Sequence, residues 1–398
     1  MNKYHVGQLL VLSLLIATQS SFAKGAKNRT TIEQANRGKS ITSRLKLLQN
    51  KRLRPGKVQK NLLPYYSAQY LKSKYTAGWA VDPDNSKSSI KLLESWKHFK
   101  KNSDVVVAVI DTGIQRNHPF LKDNIYTFGN KTGKASAEDY GMDVSLSQKN
   151  TRPDDKHGHG THVAGTIKSV FPEVKILPVK YFDPKASGKE TVNATVRALK
   201  YAVDMNVDII NYSGGGPSPS LEEKEVLKQA EAKGILIVAA AGNASNNIDL
   251  RKNAYYPASY GFSNIISVGA LNKNDKLIKS SNWGKYSVDI AAPGKMIRSS
   301  YPRNGFGKLS GTSQATAFVT GVVALIKSNY PQMSYQQLKN IIISSSKALP
   351  NLKGKVLGAG KLDAEQALIT ARKVNDSQIS AGRSVAASQA KPQFKRAN

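Results

Sequence analysis

Apolar and polar positions along this chain alternate between two rhythms. Short continuous runs of β-branched residues are followed by longer stretches in which apolar residues recur every third or fourth position, the spacing of a helix with one buried face. The first run, residues 104–110 (DVVVAVI), lacks polar alternation, which predicts a strand covered on both faces in a parallel sheet. Residues 174–181, 208–213 and 235–241 repeat that pattern, and helical spacing fills the intervals over 190–205 and 221–233. Glu222 and Glu223 stand in the first turn of the second helix and Gly234 just past its end, as the helix dipole and a left-handed C-terminal residue favour. A last strong apolar run begins after Ser313 and ends near Ile326, predicting a buried helix. Right-handed crossovers make such strands parallel and put their carboxyl ends on one edge. The expected fold class is therefore α/β, a doubly wound, mostly parallel sheet flanked by helices.

The periodic region, residues 79–370, is bounded by stretches of different character. Residues 1–23 carry Lys3, an apolar core from Leu9 to Ala17 and a small-residue cleavage site at Ser21-Phe22-Ala23, the layout of a secretory signal peptide and too short to span a bilayer comfortably. From 24 to 78 Lys and Arg recur against the single acid Glu33, as in a solvated basic linker or a prosegment. Residues 371–398 are polar, basic and rich in Ala and Ser, which predicts a disordered tail. These arms hold more than half of the net charge of +32, yet the central region is basic too. Non-specific association with polyanions follows, weakening with salt. The pattern lacks the marks of specific nucleic-acid recognition. With no cysteine, disulfides and thiolate metal sites are excluded.

Candidate chemistry gathers at the ends of predicted strands, where open α/β sheets place their ligands. Asp111 ends the first run within Asp111-Thr112-Gly113, a motif that suits a lone orienting acid or one half of an aspartic dyad, whose second copy the chain lacks. His157, His159 and His162 crowd together as metal ligands, or as a base at 159 with 162 packed one turn on and 157 exposed. Ser213-Gly214-Gly215-Gly216 is a loop or a bare edge for an extended peptide. Asn243, after Ala240-Ala241-Gly242, is a turn residue or an amide donor for an oxyanion. Ser313, behind Gly311-Thr312, is a helix cap or a presented nucleophile.

In conjunction, Asp111, His159, Asn243 and Ser313, in this order and each among small residues, resemble the subtilisin-like serine endopeptidases. The resemblance spans residues 79–370 and includes His118-Pro119, Tyr256-Pro257-Ala258, Ala292-Pro293-Gly294 and residues 358–362. It implies a three-layer sandwich with Ser313 as nucleophile, His159 as base, Asp111 as its orienting acid, and Asn243 with the Ser313 N–H as the oxyanion hole. It also implies that Ser213, Gly214 and Gly215 face Ala240, Ala241 and Gly242 across the slot for the residue before the cut, with Tyr255 and Ala258 at its end. Nothing acidic lines these segments, so an apolar or aromatic preference is expected. The implied partners are protein and peptide substrates and the chain's own prosegment as intramolecular inhibitor, released by a cut near Tyr75. A monomer secreted to the periplasm or the medium is expected.

The chain also departs from that family. Gln314, Ala317 and Phe318 stand where relatives usually carry Met, Pro and His, which predicts resistance to peroxide. Residues 166–172 leave no space for the calcium loop found in many relatives, and Asn272 stands where a second site usually has Asp. No metal ligand is assigned and no cofactor is expected to be required; structural calcium stays open without a recognisable site. The competing expectation is a catalytically silent relative that binds peptides or polyanions.

Overall fold

Val106–Asp111 (β1) sends its buried side chains alternately into two cores, Val107 and Val109 to one side and Val106, Ala108 and Ile110 to the other. Burial on both faces is the physical reason for its unbroken apolar run. The computed structural model describes residues 65–73, 75–127, 140–145 and 152–389. The expected signal peptide, most of the expected prosegment and the last nine residues lie outside the described residues.

Short helices Ala68–Leu71 (α1) and Leu92–Trp96 (α2) precede β1. Met142–Asp143 (β2), His159–Val170 (α3), Lys175–Lys180 (β3), Gly188–Asp204 (α4), Ile209–Tyr212 (β4), Leu221–Ala232 (α5) and Leu236–Ala240 (β5) follow. Then come Ile265–Leu271 (β6), Ile290–Pro293 (β7), the hairpin Ile297–Tyr301 (β8) and Gly305–Leu309 (β9), Thr312–Asn329 (α6) and Tyr335–Ser344 (α7). Lys347–Ala348 (β10), Gly360–Lys361 (β11) and Ala364–Gln389 (α8) complete the described chain. The main sheet runs β10-β11-β7-β6-β5-β4-β1-β3-β2, parallel at every pairing except β10 with β11. The chain leaves β1 for β3 on one side and returns with β4 on the other. The carboxyl ends of β1 and β4 thus flank a topological switch point.

One face is covered by α4 and α5 through Ala198, Leu199, Ala202, Leu227 and Ala230; α3, α6, α7 and the start of α8 cover the other. Helix α6 is buried on nearly every side, which suits a sequence that is apolar or small all round. Its crossing with α3 is close at Gly321, where a methyl group would lie 2.6 Å from Val170 Cβ and 3.2 Å from Ile167 O.

Both ends of the periodic region reach further than expected. Leu71 is buried, the Tyr66 ring meets Trp96 edge-on at 5.1 Å between centroids, and Tyr66 Oη donates to Glu173 Oε2 at 2.8 Å. Tyr66, Tyr70, Leu71 and Ala77 therefore share the sheet's core, although they precede the expected start of the domain at residue 79. At the other end α8 continues past residue 371 to Gln389, correcting the expected disordered tail. Its first turns dock through Ala367, Leu368 and Ala371, so the rest extends a helix already nucleated. Arg372 pairs with Asp376 at 3.7 Å, and the Ser377 and Ser380 hydroxyls donate to carbonyls four residues back at 2.9 Å. Ala and Arg, which looked like tail composition, are also good helix formers.

Gly321→Val should lower stability by about 1–3 kcal/mol, since neither Val170 Cβ nor a backbone carbonyl can yield to the added side chain. Urea unfolding in the presence of a serine-directed inhibitor measures it; an unchanged midpoint contradicts the packing described.

Candidate active site

Asp111 closes β1 in a buried position, its Oδ1 accepting from Thr112 N at 2.7 Å. His159 Nδ1 lies 2.8 Å from Asp111 Oδ1 and 3.0 Å from Oδ2, so the carboxylate takes the ring's proton donor and leaves Nε2 as the acceptor end. The two groups come from different elements and need a device to hold them in register. Helix α3 begins after Gly158, which adopts φ +105° and has no side chain to cap the helix end. Asp155 supplies the missing cap from further back. Its Oδ1 accepts from His157 N at 2.9 Å, Gly158 N at 2.7 Å and Thr112 Oγ1 at 3.0 Å, and its Oδ2 from Thr161 N at 2.9 Å and Thr161 Oγ1 at 2.6 Å. Thr112 Oγ1 in turn accepts from Gly160 N at 2.9 Å. One carboxylate thereby ties the start of α3 to the loop after β1. The approach is tight enough that a methyl group at Gly160 would lie 2.1 Å from Gly113 O.

Asp155 and Thr112 were missed in the sequence. The available signal was an acid shortly before a helix whose own cap position is glycine.

The crowded histidines separate in the structure. Burial works against the charged form of His159, but the charge and hydrogen bond of Asp111, with Asp155 behind, outweigh it and hold the ring's pKa above its ordinary value. His162 is buried with Nε2 2.9 Å from Ile297 O, and burial pushes it down to about 4. His157 is exposed. Among the described residues no group of three or more His, Cys, Asp and Glu is placed to hold a metal ion.

Ser313, in the first turn of α6, donates from Oγ to Ser213 O at 2.9 Å, and Ser213 Oγ donates back to Ser313 O at 3.2 Å. Ile110 pairs with Tyr212, so Asp111 and Ser213 each follow the last paired residue of these neighbouring strands. Buried Asn211 steadies this edge, donating to Ser213 Oγ at 2.9 Å and accepting from Thr320 Oγ1 at 2.8 Å. Among the described residues no hydrogen bond joins Ser313 Oγ to His159 Nε2. Asn243 accepts through Oδ1 from Thr312 N at 2.9 Å and Thr312 Oγ1 at 3.2 Å, which turns its exposed amide so that Nδ2 is the donor end.

The expected wall residues fall on two neighbouring strand ends. Ser213, Gly214 and Gly215 follow β4, and Ala240 ends β5 with Ala241 and Gly242 just beyond it; β5 pairs with β4 at Ala239 and Tyr212. Tyr255 is half-buried between them, and burial pushes its phenol up to about 12, so it is neutral. Ala258 belongs to the hydrophobic cluster against which Tyr255 packs, and it also lines a cavity with Phe262, Asp289 and Lys339.

Asp155→Ala should destabilise the fold by about 3 kcal/mol, because it strands several buried donors at once. A denaturation midpoint equal to the parent's would contradict that role.

Comparison with known proteins gives the site its context. Residues 102–371 match the family described as the subtilase family. The chain is 38% identical over 257 residues to the major intracellular serine protease of Bacillus subtilis (strain 168), a match covering 62% of this chain and 76% of that one. It is 36% identical over 255 residues to subtilisin DY of Bacillus licheniformis, covering 62% of this chain and 85% of the relative. A solved structure titled for the assembly of the subtilase cytotoxin SubAB superposes with a TM-score of 0.62 at 27% identity, over 76% of this chain and 99% of its own. The match extends over most of the described sheet and its helices, and on that ground this chain belongs to the subtilase family and is a serine endopeptidase.

Proposed function

We propose that Ser313, His159 and Asp111 form the catalytic triad of an exported endopeptidase, with Asn243 in the oxyanion hole. The observation that carries this reading is the bond from His159 Nδ1 to the Asp111 carboxylate, made beside the strand end on which Ser313 rests. Rotation about the Ser313 Cα–Cβ bond frees Oγ from Ser213 O to face His159 Nε2. As Oγ bonds to the substrate carbonyl carbon, its proton passes to Nε2 and the carbonyl's electron pair moves onto oxygen. The Asn243 amide and the Ser313 N–H receive that oxyanion. Its collapse breaks the C–N bond while His159 returns the proton to the leaving amine, and water repeats the sequence to release the acyl group. Asp111 stays a carboxylate throughout and stabilises the imidazolium.

Residues 1–23 direct export in this reading, and the basic segment that follows blocks the cleft until it is cut away. The packing of Leu71 and of Tyr66 on Glu173 supports a cut before residue 65 in place of one near Tyr75. N-terminal sequencing of the mature enzyme should find Tyr66 retained; a first residue beyond Leu71 rejects this boundary. The substrates are proteins and peptides with an uncharged, apolar residue before the cut. Non-specific polyanion binding follows from the charge of +32. No helix among the described residues is long and apolar enough to cross a membrane.

Ser313→Ala should lose nearly all turnover of a chromogenic peptide, and Asn243→Ala on the order of 10²–10³ in kcat, the range known for the equivalent donor in a subtilisin. His159 acts as a base only when neutral, and its pKa is held above the ordinary value, so kcat/KM should fall as pH drops through a midpoint above about 6.5. Asp111→Asn removes the main cause of that elevation. The acid limb should move to lower pH while the plateau falls steeply; a limb that stays in place means His159 is not the titrating base.

A further inference from the structure

The two wall segments beside Ser313 are bare of side chains where a substrate residue would enter, yet the space between them is not open. A methyl group built on Gly242 would lie 3.0 Å from both Cγ and Cδ1 of Tyr255. One built on Gly215 would lie 2.6 Å from Tyr255 Cε1 and 3.0 Å from Cζ. The same aromatic ring therefore rests with one end on the β5 wall and the other on the β4 wall. Gly242 at φ +96° and Gly215 at φ +150° are conformations that disfavour any side chain, so the walls themselves cannot be what narrows the gap.

The ring is also held from behind. Gly216 N donates to Tyr256 O at 3.0 Å and Tyr256 N to Gly216 O at 2.8 Å, pinning the segment that carries Tyr255 to the β4 wall. Tyr255 N donates to Ser259 Oγ at 3.0 Å. On the other wall, Asn282 Nδ2 donates to Ala241 O at 2.8 Å and its Oδ1 accepts from Ala244 N at 3.0 Å, fixing the backbone around Gly242. These bonds hold the backbone on both sides of the Tyr255 ring.

If Ser313 attacks and Asn243 receives the oxyanion, the attacked carbonyl lies between them. The side chain of the residue that carries this carbonyl then points into the gap between Ser213–Gly215 and Ala240–Gly242. We propose that Tyr255 is the specificity-determining residue of this cleft: its ring closes the gap, so that alanine is accepted before the cut and aromatic or long aliphatic residues are refused. The proposal rests on the triad reading above and narrows the apolar or aromatic preference expected from sequence to its small members. A pocket already filled at its base rejects added carbons steeply, by roughly 10- to 200-fold for a single misplaced methylene.

The test uses the mature enzyme on tetrapeptide p-nitroanilides that differ only in the residue before the cut, with fluorophosphonate labelling run on the same preparation. Enzyme from a preparation that takes the label should favour Ala over Phe in kcat/KM by about 10-fold or more. Tyr255→Gly should reverse the order, raising Phe cleavage by about 10- to 100-fold. Tyr255→Ala serves as a second variant, and the parent's own Ala-to-Phe ratio stands even if neither variant folds. A parent preparation that labels, and whose unlabelled enzyme cleaves after Phe as fast as after Ala, overturns the proposal and leaves the triad untouched. So does a Tyr255→Gly preparation that labels but keeps the parent's ratio. A folded parent that neither labels nor cleaves overturns the triad reading and this inference with it.

Discussion

The hydrogen bonds from His159 Nδ1 to Asp111 join the end of a strand to the first turn of a helix 48 residues later, and the other features of the site are arranged so that this short distance can exist. A buried carboxylate requires donors, and a ring beside it requires a helix end that can approach a strand end without collision. Gly160 permits the approach, Thr112 and Asp155 hold it, and the parallel sheet puts Asp111 on the edge that it shares with Ser213 and Ala240. The other half of the site uses the same logic on the neighbouring strand. The paired bonds between residues 213 and 313 fix the start of α6 against β4, and Thr312 orients the Asn243 amide from there. Two helices and three strand ends are thus locked to one edge by side chains that also surround the candidate triad.

Much of this architecture was legible in the chain because it follows from periodicity. A strand buried on both faces has no reason to alternate, and residues 104–110 do not; a helix buried all round has no polar stripe, and the run behind Ser313 has almost none. Asp111, His159, Asn243 and Ser313 were visible because strand ends and helix starts are places that local sequence marks. Asp155 was not, because its importance comes from five donors that converge only when two loops close on it. Tyr66, Tyr70 and Leu71 were hidden for a different reason. Their apolar signal is short and lies next to a long basic stretch, whereas their partners Trp96, Phe99 and Glu173 are distant in sequence. The extent of α8 escaped notice because the residues that suit a tail also suit a helix once a docked segment has paid for nucleation.

The electrostatics of the site are simpler than its crowding suggests. His162 is neutral through burial, and the phenols of Tyr181, Tyr212 and Tyr255 are all pushed up by burial, so these neighbours add no charge. What remains to act on His159 is the Asp111 carboxylate with Asp155 behind it, against the ring's own desolvation. The balance favours the charged ring, which is the direction a base needs if it is to hold a proton in the middle of a reaction. A site of this kind depends on surroundings that stay uncharged. Tyrosine meets that condition while still offering a large rigid body, and the same property that keeps Tyr255 neutral lets it fill space between two glycine walls without disturbing the field on His159. In the proposed mechanism shape selection and proton transfer are then set by different residues, and a change at one need not degrade the other.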